Sequence, residues 1–341
     1  MILIRADANA HIGMGHIMRC LSLADAFQSM SLEVMFVLAD DSVSKLVCDR
    51  GYRVTVLNSV YNKMEEELDL WPNLLPDFII VDSYFVTDRY LKVLGKRTKV
   101  VYIDDIAALP YPVDVLVNYN AYGTEIDYHR LYNKTVEPIL LLGGSYAPLR
   151  EMFQGIPKRV QRMDVKDVLF STGGSDDQHV ALKLLKFQPK NYIYHMLIGA
   201  LNTDKEEIYE LAKTQPNIII HENVRDMKVL ISSCDIAVSA AGSTLYEICA
   251  CGVPLITYIT ADNQIYGAKA FERQGLGINC GDLRYYDKGM EKIVREVNFL
   301  ASDYHRRVDM GVRMQEMIDG KGAERLASVL VNSLDKITIN S

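Results

Sequence analysis

The sequence predicts an α/β protein of two similar halves, each a parallel sheet covered by helices, facing each other across a cleft. Three observations predict it. Short Val/Ile-rich runs alternate with longer amphipathic runs, the pattern of βαβ units whose strands are buried on both faces. The pattern pauses at IPKRVQRMD and then restarts. Each half carries a glycine loop directly after its first strand, HIGMGH in one and STGGSDD in the other. With 341 residues, 49% of them hydrophobic, the chain can fill two cores.

The elements follow in order. MILIRAD opens as a strand and IMRCLSLADAFQSM follows as a helix. LEVMFVLAD is the second strand. SVSKLVCDRG is a helix, with Gly51 as its C-terminal cap. YRVTVLN, DFIIVDS, KVVYIDD and VDVLVNYN are further strands, with YFVTDRYLKVLGKR a helix between two of them. EPILLLGGSYAPLREMFQG ends the first half. The boundary falls near residues 154–164, giving domains 1–155 and 156–341. In the second half DVKDVLFSTGGSDD, YIYHMLIGA, NIIIHENV, CDIAVSAAG and GVPLITYI carry strands. AGSTLYEICACG is a helix stopped by Gly252 and Pro254. A helical stretch from Ala301 to Lys336 closes the second half.

Composition excludes several classes. A net charge of −7 without a long basic run argues against a nucleic-acid partner. A small anion would have to be held by local donors. MILIRADA lacks the basic start and apolar core of a signal peptide, and the apolar runs are strand-sized, so a cytoplasmic protein without a membrane span is expected. The six cysteines form no CxxC pair, and Cys249 and Cys251 do not have a usual zinc spacing. They read as buried thiols in a reducing compartment. The histidines show no HExxH pattern, and His129, His179, His195, His221 and His305 read as isolated structural or surface residues. No metal and no cofactor is expected. The oligomeric state is open.

Ligands of open parallel sheets bind beyond the carboxyl ends of the strands. In the first half those ends offer Asp7, the 11–16 loop, Asp82 to Tyr84, Asp104, Asp105 and Asn118 to Asn120. In the second they offer Ser171 to Asp176, the 239–247 segment and Asp262 to Gln264. Gly13 and Gly15 allow close backbone approach, and a helix starting near residue 16 would aim its N–H groups at a ligand. A dinucleotide fingerprint needs a third glycine where Met18 stands, so that reading is incomplete even with Asp40 after the second strand. His16 sits at the mouth of that helix, where the helix dipole disfavours a charged ring, and reads as a neutral base for water. Asp7 either orients that ring or caps the loop. Gly173, Gly174 and Ser175 either approach a phosphate or make a tight turn. Gly242, Ser243 and Thr244 start a helix suited to a diphosphate, with Glu247 one turn in, for ribose hydroxyls or the helix dipole. Tyr84 and Asn120 either face a sugar or lid the core.

Taken in order, RADANAHIGMGHIMRCLSLA, IIVDSYFV, LLGGSYAPLR, STGGSD, SAAGSTLYE and TADNQ resemble the signature stretches of the UDP-2,4-diacetamido-2,4,6-trideoxy-β-L-altropyranose hydrolases of pseudaminic acid synthesis. The resemblance runs to about residue 280 and is most specific in the first stretch. It implies two Rossmann-like domains in a glycosyltransferase type B-like fold, similar to the enzyme that adds N-acetylglucosamine to lipid I. It implies His16 as the base, with Tyr84 and Asn263 beside it at the reacting sugar. The same stretches carry Arg5, Arg19, Tyr146, Arg150, Asp176 and Gln264 as substrate-binding candidates, alongside Gly13, Gly15, Asn120, Gly173, Gly174, Gly242, Ser243, Thr244 and Glu247. The implied partner is a UDP-sugar, cleaved with inversion to UDP and free sugar. Two alternatives stand beside this: an inverting UDP-sugar-dependent glycosyltransferase for a surface polysaccharide such as a spore coat, and a non-catalytic sugar-nucleotide-binding module.

Overall fold

A computed structural model of the chain describes residues 1–9, 12–174, 176–187, 189–286 and 288–339, with 334–339 as backbone only. It divides into two compact units, Met1–Glu151 with Lys321–Ser341, and Met152–Gly320.

The first unit is built on a seven-stranded sheet of β1 (Ile2–Ala6), β2 (Val34–Leu38), β3 (Arg53–Val56), β4 (Phe78–Asp82), β5 (Lys99–Ile103), β6 (Val115–Asn118) and β7 (Ile139–Leu142). The strand order is β3-β2-β1-β4-β5-β6-β7 and every pair is parallel. β1, β2 and β4 are buried along their whole length; they are apolar except for Arg5 in β1 and Asp82 at the end of β4. The order reverses between β1 and β4, and that switch point is where such sheets bind ligands. Helix Gly15–Ser29 links β1 to β2 and buries Ile17, Cys20, Leu21, Ala24 and Phe27, a stripe at helical spacing. Leu3, Val37, Ile79, Val81 and Leu116 of the sheet pack with Tyr90, Leu91 and Leu94 of helix Asp88–Gly95. Thr87 starts that helix by accepting from Tyr90 N at 3.1 Å. Trp71 belongs to the same core, edge-on to Tyr90. Gly51 stands just past helix Ser44–Asp49 at φ 87°, as its sequence position predicts.

The second unit holds β8 (Asp167–Ser171), β9 (Ile193–Leu197), β10 (Ile218–His221), β11 (Ile236–Ala240), β12 (Leu255–Ile259) and β13 (Ile278–Asp282). Their order is β10-β9-β8-β11-β12-β13, again all parallel, with the reversal between β8 and β11. β13 is not among the predicted strands. Its sequence, INCGD, is only partly apolar, and its pairing with β12 shifts register near Gly281.

One expectation needs correction. The stretch from Ala301 to Lys336 is not one helix of the second half: it takes in the end of helix Gly289–Ser302, then helix Tyr304–Met317 and helix Gly322–Ile339, and the last of these belongs to the first unit. There it packs on helix Gly15–Ser29. Gly322 permits the return, because a side chain would place its Cβ 2.0 Å from Ala147 O. The polar stretch IPKRVQRMD is part of the second unit. Arg159 donates to Ser232 O at 2.9 Å and to Cys234 O, Gln161 to Gly252 O at 2.9 Å, and Arg307 to Arg162 O at 2.8 Å and Met163 O at 2.7 Å. Side chains and backbone carbonyls of this stretch are thus fastened to the rest of the second unit.

All six cysteines are free, and Cys48 is the exposed exception to the expected burial. Nor are the histidines all isolated. His195 Nδ1 lies 3.0 Å from His221 Nε2, and its Nε2 lies 3.1 Å from Asp167. His179 pairs with Asp204 at 2.6 Å and His129 with Glu137 at 2.9 Å.

Candidate active site

The carboxyl ends of β1 and β4 converge on one buried cluster. Gly13 takes φ 72° and donates to Asn9 O at 2.9 Å, which turns the chain after β1 back into the helix. Among the described residues no side chain caps that helix, and a Cβ added at Gly13 or Gly15 would meet nothing within 4 Å. The first helical turns then direct His16, Arg19 and Cys20 to one face, as spacings of three and four residues do. That face meets Asp82 at the end of β4.

His16 is 4% exposed, and its Nδ1 lies 2.6 Å from Asp82 Oδ1. A carboxylate can only accept there, so Nδ1 carries the proton and Nε2 keeps its lone pair. The Tyr84 ring stands edge-on to the imidazole, centroids 4.5 Å apart. Arg19 grips both oxygens of Asp82 along one edge of its guanidinium, Nε donating to Oδ2 at 2.5 Å and Nη2 to Oδ1. It also donates to Tyr119 OH at 2.6 Å and to Asp105 Oδ2 at 2.9 Å, with Nη2 3.0 Å from His16 Nδ1. Cys20 Sγ donates to Asp82 at 3.4 Å. Burial pushes the Asp82 carboxyl up, but Arg19 and His16 outweigh it and hold the group well below the usual carboxylate range. Burial likewise opposes the charge on Arg19, and Asp105 and Asp82 reverse that and raise it. Asp105 Oδ1 accepts from Asn120 Nδ2 at 2.7 Å, which carries the network from β4 across β5 to the loop after β6.

Asp7 and Arg5 do something else. Asp7 accepts from Arg5 Nη1 at 2.5 Å and from Ala39 N at 2.8 Å, so it ties β1 to the end of β2. Of its two expected roles, orienting His16 falls to Asp82. Arg5, expected to bind substrate, is 0% exposed. Its Nε and Nη2 both meet Glu67 at 2.8 Å, and Glu67 also accepts from Tyr90 OH at 2.5 Å and Ser59 Oγ at 3.0 Å. This is a closed ion-pair network inside the unit. Tyr146 and Arg150 lie half-buried in the segment after β7.

In the second unit the candidates again line the carboxyl ends. Gly173, at φ 85°, and Gly174 follow β8, with Gly174 O accepting from Leu201 N at 3.0 Å. Gly199 presses on this loop so closely that a Cβ would lie 2.2 Å from Gly173 O. Sequence reasoning missed it, although a glycine after a strand is its signal. Thr172 Oγ1 is buried with no partner among the described residues, the kind of group a ligand on the loop would satisfy. Ser175 lies outside the described residues. Asp176, expected to bind substrate, instead accepts from Val180 N at 2.8 Å and Ala181 N at 2.9 Å, and so caps helix Val180–Phe187. Gly242 and Ser243 are exposed after β11, Thr244 opens helix Thr244–Ala250, and Glu247 sits in its first turn. Asn263 is exposed in the turn Asp262–Gln264, which is fastened by Gln264 Oε1 accepting from Thr260 N at 2.8 Å and by Arg284 on Asp262 at 2.8 Å.

Among the described residues no helix is long and apolar enough to cross a membrane, and no group of three or more His, Cys, Asp or Glu is placed to hold a metal ion.

Residues 140–326 match the family model of the glycosyltransferase family 28 C-terminal domain. An uncharacterized protein of Methanocaldococcus jannaschii is 24% identical over 75% of this chain, and the match spans about half of that protein, 54%. The UDP-2,4-diacetamido-2,4,6-trideoxy-β-L-altropyranose hydrolase of Campylobacter jejuni is 29% identical over 68% of this chain and 84% of its own length. The spore coat polysaccharide biosynthesis protein SpsG of Bacillus subtilis is 23% identical over 96% of both chains. The resemblance read from the signature stretches fits these relatives. Among solved structures, the calicheamicin glycosyltransferase CalG4 superposes with TM-score 0.68 at 14% identity, covering 98% of both chains. Acinetobacter baumannii MurG does so with TM-score 0.68 at 14% identity, covering 97% of this chain and 99% of its own. The fold is thus glycosyltransferase type B-like, with two Rossmann-like domains.

Proposed function

The chain belongs to the family of the glycosyltransferase family 28 C-terminal domain, and from that premise we propose that it hydrolyses a UDP-sugar. The substrate we assign is UDP-2,4-diacetamido-2,4,6-trideoxy-β-L-altrose, cleaved with inversion to UDP and free sugar for pseudaminic acid or a related surface glycan. The observation that carries the reading is the His16–Asp82 pair at the switch point of the first sheet. It provides a histidine whose Nδ1–H is committed and whose Nε2 can take a proton.

Water held by Nε2 attacks the anomeric carbon on the face opposite UDP. The bond from that carbon to the UDP oxygen breaks, UDP leaves with the electron pair, and the proton of water passes to His16. Tyr84, set against the ring, and Asn120, anchored on Asp105, are assigned to the sugar. Nucleotide contacts are assigned to Gly173, Gly174, Thr172 and the 242–247 segment, with Asn263 and Gln264 toward the sugar. Backbone N–H groups there would meet the charge growing on the leaving phosphate. UDP is a good leaving group, so the reaction asks for one base and no strong acid.

A transferase using the same base on an acceptor hydroxyl is the second reading, favoured by the fold shared with CalG4 and MurG. The experiment is to incubate the protein with this UDP-sugar, without acceptor, and follow the anomeric proton signal. Inverted free sugar and UDP support the hydrolase. Turnover only after an acceptor is added supports the transferase. Tight UDP binding without turnover in either case supports a binding module.

A further inference from the structure

We propose that Asp105 gives the His16 cluster the net negative charge that lets the histidine accept a proton inside the protein. The inference rests on His16 being the base. Arg19 pairs with two carboxylates at once, Asp82 and Asp105. With Asp82 alone, the guanidinium would cancel the carboxylate that faces His16. A proton on the ring would then be an uncompensated charge in a buried site, which is costly. Asp105 supplies the second negative charge. Asp82 and Asp105 against Arg19 leave one net negative charge while the ring is neutral, and none once it has taken its proton. The cluster is balanced for the state formed during the reaction rather than the resting state.

Among the described residues, the other groups facing the cluster do not alter this balance. Cys20 comes from the same helix and Tyr119 from the loop after β6; burial pushes both upward, so both stay protonated. Tyr84 sets its ring against the imidazole in a T-shaped contact. Asp104, next in sequence, is turned away to Tyr128 OH at 2.7 Å and to the N–H groups of Ile106 and Ala107. Asp105 itself has an 11% exposed side chain, and Asn120 holds its second oxygen. It is a positioning residue, acting on the base through Arg19.

The test is a charge series. Asp105→Asn raises the cluster to zero, Arg19→Gln lowers it to two negative charges, and the double variant returns it to one. Two readouts are taken: the acidic limb of the pH–kcat/KM profile, and the pH response of the His16 ring resonances in the free protein, assigned against His16→Asn. The expected order from high pH to low is Arg19→Gln, then parent and double variant together, then Asp105→Asn, with steps of about one pH unit. Asp105→Asn is also expected to lose about tenfold in kcat, with UDP affinity kept. A parent-like pH response in both single variants overturns the proposal, as does a double variant that fails to return toward the parent. Should Asp105→Asn not fold, Arg19→Gln alone decides: a shift to higher pH supports the proposal and none overturns it. If His16→Asn turns over substrate at the parental rate, the base reading fails, and the ring resonances still report whether the charge series holds.

Discussion

His16 Nδ1 and Asp82 Oδ1 lie 2.6 Å apart, so the first turn of helix Gly15–Ser29 and the last residue of β4 form one hydrogen-bonded unit across the switch point of the sheet. The pair gives His16 a defined tautomer, and the first two expectations concern its halves.

Replacing His16 by Asn keeps a polar side chain of similar reach but removes the proton acceptor. The expected loss in kcat is about 10²–10⁴-fold. UDP affinity, measured by titration calorimetry, should not change. A near-parental rate would take His16 out of the mechanism.

Asp82→Asn keeps the shape and adds an N–H donor where only an acceptor stood. The amide can then hold His16 with Nδ1 unprotonated, which puts the proton on Nε2. Turnover is expected to fall by about 10²–10⁴-fold, with substrate affinity little changed. Steady-state kinetics that split kcat from KM check this. A loss confined to KM would contradict it.

Asp82 also sets an acid limit on stability. Its carboxyl is held below its ordinary value of 3.8 in the folded protein, where Arg19 and His16 overcome the opposing effect of burial. A depressed acid stabilises the fold above its unfolded value, and that contribution is lost as pH falls through the range beneath it. Between about pH 5 and pH 2 the parental melting temperature should therefore fall more steeply than that of Asp82→Asn. Parallel curves would count against the pairing.

Arg5→Met should unfold the protein more readily rather than weaken substrate binding. It strands Glu67, which is 0% exposed, without its guanidinium partner. Removing one member of a buried pair costs about 3–5 kcal/mol, readable by denaturant titration. Adding Glu67→Gln should recover part of that. A raised KM at parental stability would return Arg5 to the substrate.

Gly199→Ala forces a Cβ to within 2.2 Å of Gly173 O, and backbone must yield. Overpacking of this kind costs about 1–3 kcal/mol. If the glycine loop holds the nucleotide, UDP affinity should drop about tenfold by calorimetry. Unchanged affinity would free that loop of the role.

The strand ends were legible in the sequence because buried parallel strands are apolar runs that stop at polar residues. His16 stood out because local spacing puts it at a helix mouth. Its partners did not stand out in the same way. Asp82 is 66 residues away, and Asp105 is 86 residues from Arg19, so no local pattern relates them. Arg5 and Asp7 looked like ligand contacts for the opposite reason. They are neighbours on one strand face, and only Glu67, 62 residues on, reveals that Arg5 is closed off. The amphipathic pattern of residues 322–339 announced a helix, but periodicity does not say which sheet a helix will cover.

The return of that last helix to the first unit has a consequence for how the protein is made. Residues 152–320 emerge from the ribosome as one uninterrupted unit and can fold when they appear. The unit that carries His16 is interrupted in sequence, and helix Gly15–Ser29 gains its covering helix only after residues 152–320 have been made. Loss of helix Gly322–Ile339 would therefore strike the half that carries His16 while leaving the other uninterrupted.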